Sequence, residues 1–201
     1  MRHEYGVLLD RKIVENQCRA FLQRNKKNTF HDFFSYLREH PFLGIVTNRT
    51  KHHIQDKYWG SKQKRSDKCR QVIYEFDEML ENFLRLESVE YSNFQENLKQ
   101  VNNVFNTLVE PTKPPPMPDK YRALINDFVK SQYSRFELRE RDKKDLAEAV
   151  CLKPRYKQLF FTSSNKMLSH PFILNAVEEK LDFICGDTDL ILSEIEKLRF
   201  I

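Results

Sequence analysis

Glycine and long apolar runs are both scarce in this sequence, and each scarcity narrows the choice of fold. The chain has 201 residues but only 4 glycines, too few for the many tight turns of an all-β fold. No run of about 18 apolar residues occurs, which predicts that no segment spans a membrane. Walker, GxGxxG, HExxH and GxSxG sequences are also absent, so the chemistries that those motifs carry are not indicated.

Cysteine pairs are missing as well. The four cysteines are far apart and form no CxxC pair, and each lies in or beside an apolar stretch. This pattern predicts buried free thiols in a reducing compartment, with a four-cysteine zinc site as the less favoured alternative. The apolar run near the N-terminus ends at the charged residue Asp10, so the first ten residues contain no signal-peptide core. We therefore expect a cytoplasmic protein.

Short apolar runs alternate with helical patterns along most of the chain. The predicted strands are residues 5–9, 43–47, 158–163 and 181–185. Strands separated by helices imply a parallel sheet that is covered by helices on both faces. We therefore predict an α/β protein of one domain, residues 1–201, in three α/β/α layers around a parallel sheet of about four to five strands.

Residues 60–118 differ from the rest. Two apolar stripes at helical spacing, over 73–84 and 94–108, predict two long helices that pair as an antiparallel hairpin around a turn at 88–92. The proline-rich tract 111–118 predicts an extended connector. We expect this part of the chain to be a large helical insertion within the domain.

Positive charge is concentrated in one segment. Residues 49–70 hold eight basic side chains against two acids, a net charge of +6, while the whole chain carries only +5. Such a segment is suited to a polyanion, since each neutralised phosphate releases counterions. A solvated helix face is the alternative reading.

Polar residues follow the predicted strands at the points where ligands bind in such sheets. Asp10 follows the first strand and residues 47–53 follow the second, while Asp142 and Asp145 open the helix before the third and residues 163–165 follow it. Acids that converge there can hold one or two Mg²⁺ or Mn²⁺ ions, which activate a bound water and shield a scissile phosphate. Asp10 and Asp145 would equally serve as favourable charges at helix N-termini.

Four segments in this order carry a family resemblance. They are residues 7–14 with Asp10 after the strand, 44–54, 141–149 with Asp145, and 159–168. Their order and spacing resemble those of PIN domains, the fold of many small metal-dependent ribonucleases, including toxins of toxin–antitoxin pairs. The resemblance covers residues 4–59 and 119–200.

The resemblance implies specific roles for residues of this chain. The implied catalytic residues are Asp10, Asp142, Asp145 and Asn165, of which Asp10 and Asp145 would bind the metal, with His53 and Asp56 as auxiliary groups. The basic segment would hold RNA through Arg49, Lys51, Lys62, Lys64, Arg65, Lys68 and Arg70. Two acidic positions of the family pattern are not matched: one falls near His53, and the other is occupied by Asn165.

Three functions are compatible with these residues. The first is a metal-dependent endoribonuclease that uses Mg²⁺ or Mn²⁺, with a protein partner such as an antitoxin, or a homodimer, as further expectations. The second is a catalytically inactive PIN-like module that binds RNA or a protein, which the unmatched acids favour. The third is a helical interaction protein with fewer strands than predicted.

Overall fold

A computed structural model describes residues 3–22, 33, 36–37, 43–59, 67–106, 118–121 and 138–198. The strands in these ranges are β1 His3–Leu9, β2 Leu43–Thr47, β3 Leu84–Glu87, β4 Tyr156–Thr162 and β5 Ile184–Gly186. The α-helices are α1 Arg11–Leu22, α2 Asn48–Trp59, α3 Asp67–Asn82, α4 Tyr91–Asn106, α5 Glu140–Leu152, α6 Pro171–Leu181 and α7 Thr188–Leu198. Short 3₁₀ turns occupy Lys153–Arg155 and Lys166–Ser169.

The five strands form one sheet in the order β3-β2-β1-β4-β5, and every neighbouring pair is parallel. Neighbouring side chains of a strand point to opposite faces, so Val7 belongs to one core and Leu8 to the other. Helices α1, α2, α3 and α7 cover the Val7 face, while α4, α5 and α6 cover the Leu8 face. The predicted three-layer α/β/α architecture is therefore confirmed.

The helical hairpin predicted for residues 73–108 is wrong. Residues Leu84–Glu87 form β3, which pairs with β2 through Gly44↔Leu84 to Thr47↔Glu87. Helices α3 and α4 lie on opposite faces of the sheet instead of packing on each other. The segment therefore belongs to the sheet domain, since its short strand β3 forms the edge of the sheet and its two helices cover the two faces. Of the proline-rich tract 111–118, residues 111–117 lie outside the described residues.

Several predicted boundaries agree with the structure, and local chemistry explains them. Strand β2 has the predicted bounds, and Thr47 ends it by accepting a hydrogen bond from the Thr50 amide at Oγ1, 3.1 Å away, as an N-cap of α2. The last strand starts later than predicted because Asp182, with φ 60°, forms the left-handed C-cap of α6. Between α1 and β2 only Phe33, Tyr36 and Leu37 are described, and they are helical.

The four cysteines are free thiols, as predicted. The predicted burial is confirmed for Cys18 and Cys185, whereas Cys69 and Cys151 are only half-buried. None of the helices in the described ranges is long and apolar enough to cross a membrane.

Candidate functional site

Asp10 lies where β1 ends, at the edge where the parallel strands terminate, which we call the carboxyl edge. Because β1 and β4 are neighbours, the Asp10 amide donates a hydrogen bond to the Thr162 carbonyl, 3.0 Å away. The Asp10 Oδ2 atom accepts hydrogen bonds from Ser163 Oγ at 2.6 Å and from the Ser164 amide at 3.3 Å. The sheet thus brings together two segments about 150 residues apart in sequence.

The second carboxylate oxygen of Asp10 caps helix α1. Asp10 Oδ1 accepts hydrogen bonds from the Lys12 amide and, at 3.1 Å, from the Ile13 amide. Asp10 is only 5% exposed, and both of its oxygens accept from neutral donors of the protein. The helix-cap reading of Asp10 is therefore correct.

Arg49, the second residue of α2, reaches across to α5. Its Nη2 atom donates to Asp145 Oδ1 at 2.8 Å, and its Nε lies 3.4 Å from Glu148 Oε1. Thr47 Oγ1 donates to the other Glu148 oxygen at 2.9 Å, and the Phe94 ring centroid lies 5.6 Å from the guanidinium carbon. The guanidinium is thus held from two sides before any ligand arrives.

Burial strongly affects the two carboxylates that hold Arg49. It raises the pKa of Asp145 to about 6 and that of Glu148 to about 7. The Arg49 charge lowers both pKa values, but burial outweighs it. The charge of Asp10 is a further cause of the raised Asp145 pKa, and that of Asp142 a smaller one, so these acids lie within electrostatic range of Asp145.

An open cavity of about 320 Å³ lies beside this ion pair. Its walls come from α1, α2 and α5, and they contain four cationic side chains against two carboxylates. The lining residues are Arg11, Arg49, Thr50, His53, Glu140, Arg141, Lys144 and Asp145. We call this the arginine cavity; its volume falls in the range of small-molecule sites.

Two arginines of the arginine cavity keep unused hydrogen-bond donors. The buried Nε of Arg11 and the buried Nη1 of Arg49 have no hydrogen-bond partner among the described residues. Arg11 Nε lies 3.7 Å from a Glu15 oxygen, while Lys57 Nζ binds the other Glu15 oxygen at 2.7 Å. Burial lowers the pKa of Arg11, and the charge of Arg141 adds to that effect. Three guanidinium groups, of Arg11, Arg49 and Arg141, line this open cavity, and such a cluster favours an anionic ligand.

Four other predicted site residues remain, and of these only His53 lines the arginine cavity. They are Asp142, Asn165, His53 and Asp56. Asp142 is buried in the first turn of α5, and its Oδ2 has no hydrogen-bond partner among the described residues. The backbone amide of Asn165 donates a hydrogen bond to Ser163 Oγ at 3.1 Å, and Ser163 in turn binds Asp10, so Asn165 lies near Asp10. His53 lines the arginine cavity, whereas Asp56 is exposed on α2 and does not.

The predicted RNA-binding residues are only partly described. Arg49 lines the arginine cavity, Lys51 is half-buried on α2, and Arg70 is exposed on α3. Lys68 lies in the first turn of α3. Lys62, Lys64 and Arg65 lie outside the described residues.

The carboxylates of this edge fit a metal site poorly. No three His, Cys, Asp or Glu side chains come close enough to hold a metal ion anywhere in the described ranges. Asp10 accepts from protein donors at both oxygens, and Asp145 is neutralised by Arg49. Divalent ions need several free oxygen ligands, whereas neutral donors already bind Asp10 and a guanidinium already binds Asp145.

Sequence reasoning missed Arg11, Arg141, Lys144 and Glu148. Helical spacing could have indicated two of them: Arg141 precedes Asp145 by four residues, with Arg141 Nε 3.9 Å from Asp145 Oδ2, and Glu148 follows Asp145 by three. Arg11 and Lys144 each lie next to a predicted acid in the sequence, but adjacency alone does not predict a shared cavity.

The fold and the site together define a three-layer α/β/α protein with an arginine-lined cavity at the carboxyl edge of its sheet. Comparison of this chain with protein-family models, with curated proteins and with solved structures gave no match.

Proposed function

We propose that this protein is a PIN-like RNA-binding module whose arginine cavity holds a phosphate of the RNA backbone. The observation that carries the proposal is the convergence of Arg11, Arg49, Arg141 and Lys144 on one open cavity. Backbone phosphates dominate the affinity of proteins for nucleic acids, and arginine binds them through paired N–H donors.

The fixed position of Arg49 supports this proposal. Asp145 and Glu148 hold its guanidinium on one side, while the side chain stays 38% exposed and lines the arginine cavity. A side chain that is already ordered loses less conformational entropy when a ligand binds. Arg49 is therefore preorganised for a phosphate.

The surroundings of the cavity favour a polymer over a small anion. Arg49 begins the basic segment of residues 49–70, which carries +6, and the same helix α2 also holds Lys51 and Lys57 of that segment. A row of cations can follow several consecutive phosphates of one strand. The resemblance to PIN domains favours RNA as that strand.

The test compares two lysines of equal charge, one inside the arginine cavity and one outside it. Lys144 lines the arginine cavity, while Lys180 is exposed in the last turn of α6. We expect Lys144→Ala to weaken binding of a labelled single-stranded RNA by about 3- to 10-fold and to reduce the salt slope by about one. Lys180→Ala should leave both unchanged. Fluorescence anisotropy at several salt concentrations measures this, and equal losses in the two variants would reject a specific phosphate site.

A metal-dependent endoribonuclease is the second candidate. It is favoured by the electrostatic interaction of Asp10 and Asp142 with Asp145 at one sheet edge. RNA cleavage that requires Mg²⁺ or Mn²⁺ and is lost in Asp145→Asn would select this candidate over the binding module. The antitoxin-like partner and the homodimer stay predictions.

A further inference from the structure

We infer that the arginine cavity cleaves RNA without a metal ion, with His53 as the general base. This inference rests on the proposed binding of an RNA phosphate at the same place. His53 lies one helical turn after Arg49 on α2, and both residues line the arginine cavity. A phosphate held by Arg49 would therefore lie next to an imidazole.

The charged groups around His53 are mostly cations. Helix α1 contributes Arg11 and Glu15, and α2 itself contributes Arg49 and Lys57. Helix α5 contributes the cations Arg141 and Lys144 and the acids Glu140 and Asp145. Burial lowers the pKa of His53, and the Arg11 charge lowers it further. The imidazole is therefore neutral near pH 7, the form in which it can accept a proton.

The reaction needs only groups of the RNA and of the protein. His53 takes the proton of a ribose 2′-hydroxyl, and the 2′-oxygen attacks the neighbouring phosphorus. The bond from phosphorus to the 5′-oxygen breaks, leaving a 2′,3′-cyclic phosphate. The Lys144 ammonium donates a proton to the leaving 5′-oxygen, and both side chains then exchange protons with solvent. Arg11, Arg49 and Arg141 stabilise the negative charge of the five-coordinate phosphorus.

The poor fit of the carboxylates to a metal supports this route. Asp10 and Asp145 are engaged by donors of the protein, so the positive charge that the reaction needs comes from guanidinium groups. The attacking group is the 2′-hydroxyl of the substrate, and no activated water is required.

The experiment uses the full chain, excess EDTA and a short single-stranded RNA. Its matched control is His52, which is exposed like its neighbour His53 but does not line the arginine cavity. We expect cleavage by the wild type, a product ending in a 2′,3′-cyclic phosphate, and a rate that falls about 100-fold or more in His53→Asn. His52→Asn should cleave at the wild-type rate. Replacing the ribose at the cleaved position by 2′-deoxyribose should block the reaction.

Binding is measured separately on a 2′-deoxy analogue that cannot react. Binding of this analogue by His53→Asn within about 3-fold of wild type shows that the variant is folded and competent. RNA bound in a Lys144-dependent way but left intact in EDTA would overturn the metal-free cleavage and leave the proposed function standing. Equal cleavage by wild type and His53→Asn would also overturn it. RNA binding that does not depend on Lys144 would overturn both the metal-free cleavage and the proposed function.

Discussion

Asp10 and Asp145 lie at the same edge of the sheet, but their carboxylates have different partners. The Asp10 oxygens accept hydrogen bonds from backbone amides and from the Ser163 hydroxyl. The Asp145 oxygens face Arg49 at 2.8 Å and Arg141 at 3.9 Å, on the wall of an open cavity. Asp10 joins β1 to α1 and β4, whereas Asp145 positions a cation.

This difference separates a structural acid from an acid that belongs to a binding site. A buried carboxylate that is satisfied by neutral donors stabilises the junction around it. A buried carboxylate that pairs with a guanidinium fixes the place of that cation, and the desolvation of the pair offsets much of its attraction. Substitutions at the two positions should therefore affect different properties.

The largest effect is expected on stability for Asp10→Ala. The variant loses the cap of α1 and leaves the Ser163 hydroxyl buried without its acceptor. We expect the free energy of unfolding to fall by about 2–4 kcal/mol. Urea denaturation measures this. The exposed Asp56 on α2 provides the control, since Asp56→Ala should change the free energy by less than about 0.5 kcal/mol. A loss below about 1 kcal/mol for Asp10→Ala would contradict a structural role.

A smaller effect is expected on the pH dependence of stability for Glu148→Gln. Glu148 is 4% exposed and its pKa is raised to about 7. The folded chain therefore binds more protons than the unfolded chain between about pH 4.5 and 7, so Glu148 makes stability fall as the pH rises through that range. We expect wild type to lose on the order of 1–2 kcal/mol more than Glu148→Gln between about pH 5 and pH 8.

Urea denaturation at both pH values checks the Glu148 prediction. Glu179, which is exposed on α6, offers the matched control, because Glu179→Gln should keep the wild-type pH dependence. Identical pH dependence in Glu148→Gln and wild type would show that burial does not raise the Glu148 pKa.

The smallest stability change is expected for Asp145→Asn. Arg49 keeps Glu148 as a partner and is 38% exposed, so the free energy of unfolding should change by less than about 1 kcal/mol. One negative charge leaves the arginine cavity, and RNA affinity should rise about 2- to 5-fold by anisotropy. Asp56→Asn is the control for a general charge effect. Weaker RNA binding by Asp145→Asn would contradict this prediction and would show that Asp145 helps to hold the RNA.

Most of the sheet could be predicted because apolar runs report buried strands directly. Strand β2 has the predicted bounds, and β1 and β4 differ by about two residues at their starts. Strand β3 was missed because Leu84–Glu87 contains only four residues, two of them charged. Its charges are satisfied only in the fold, where Glu87 pairs with Arg85 at 2.7 Å and accepts from the Tyr156 hydroxyl at 3.0 Å.

The site was predictable only in part. The acids after β1 and before β4 were found because the carboxyl ends of parallel strands share one edge. The cationic character of that edge was not found, since Arg11, Arg49 and Arg141 lie in three separate parts of the chain. Nothing in their local sequence indicates that they share a cavity.

The sequence by itself determined four of the strands, β1, β2, β4 and β5, and therefore which residues follow them at the carboxyl edge. Tertiary structure decided which helices meet there: β1 lies between β2 and β4, so α1 after β1, α2 after β2 and α5 before β4 start side by side. Their first turns carry Arg11, Arg49 and Arg141. Strand order depends on how whole layers pack, and this packing placed three arginines around one cavity.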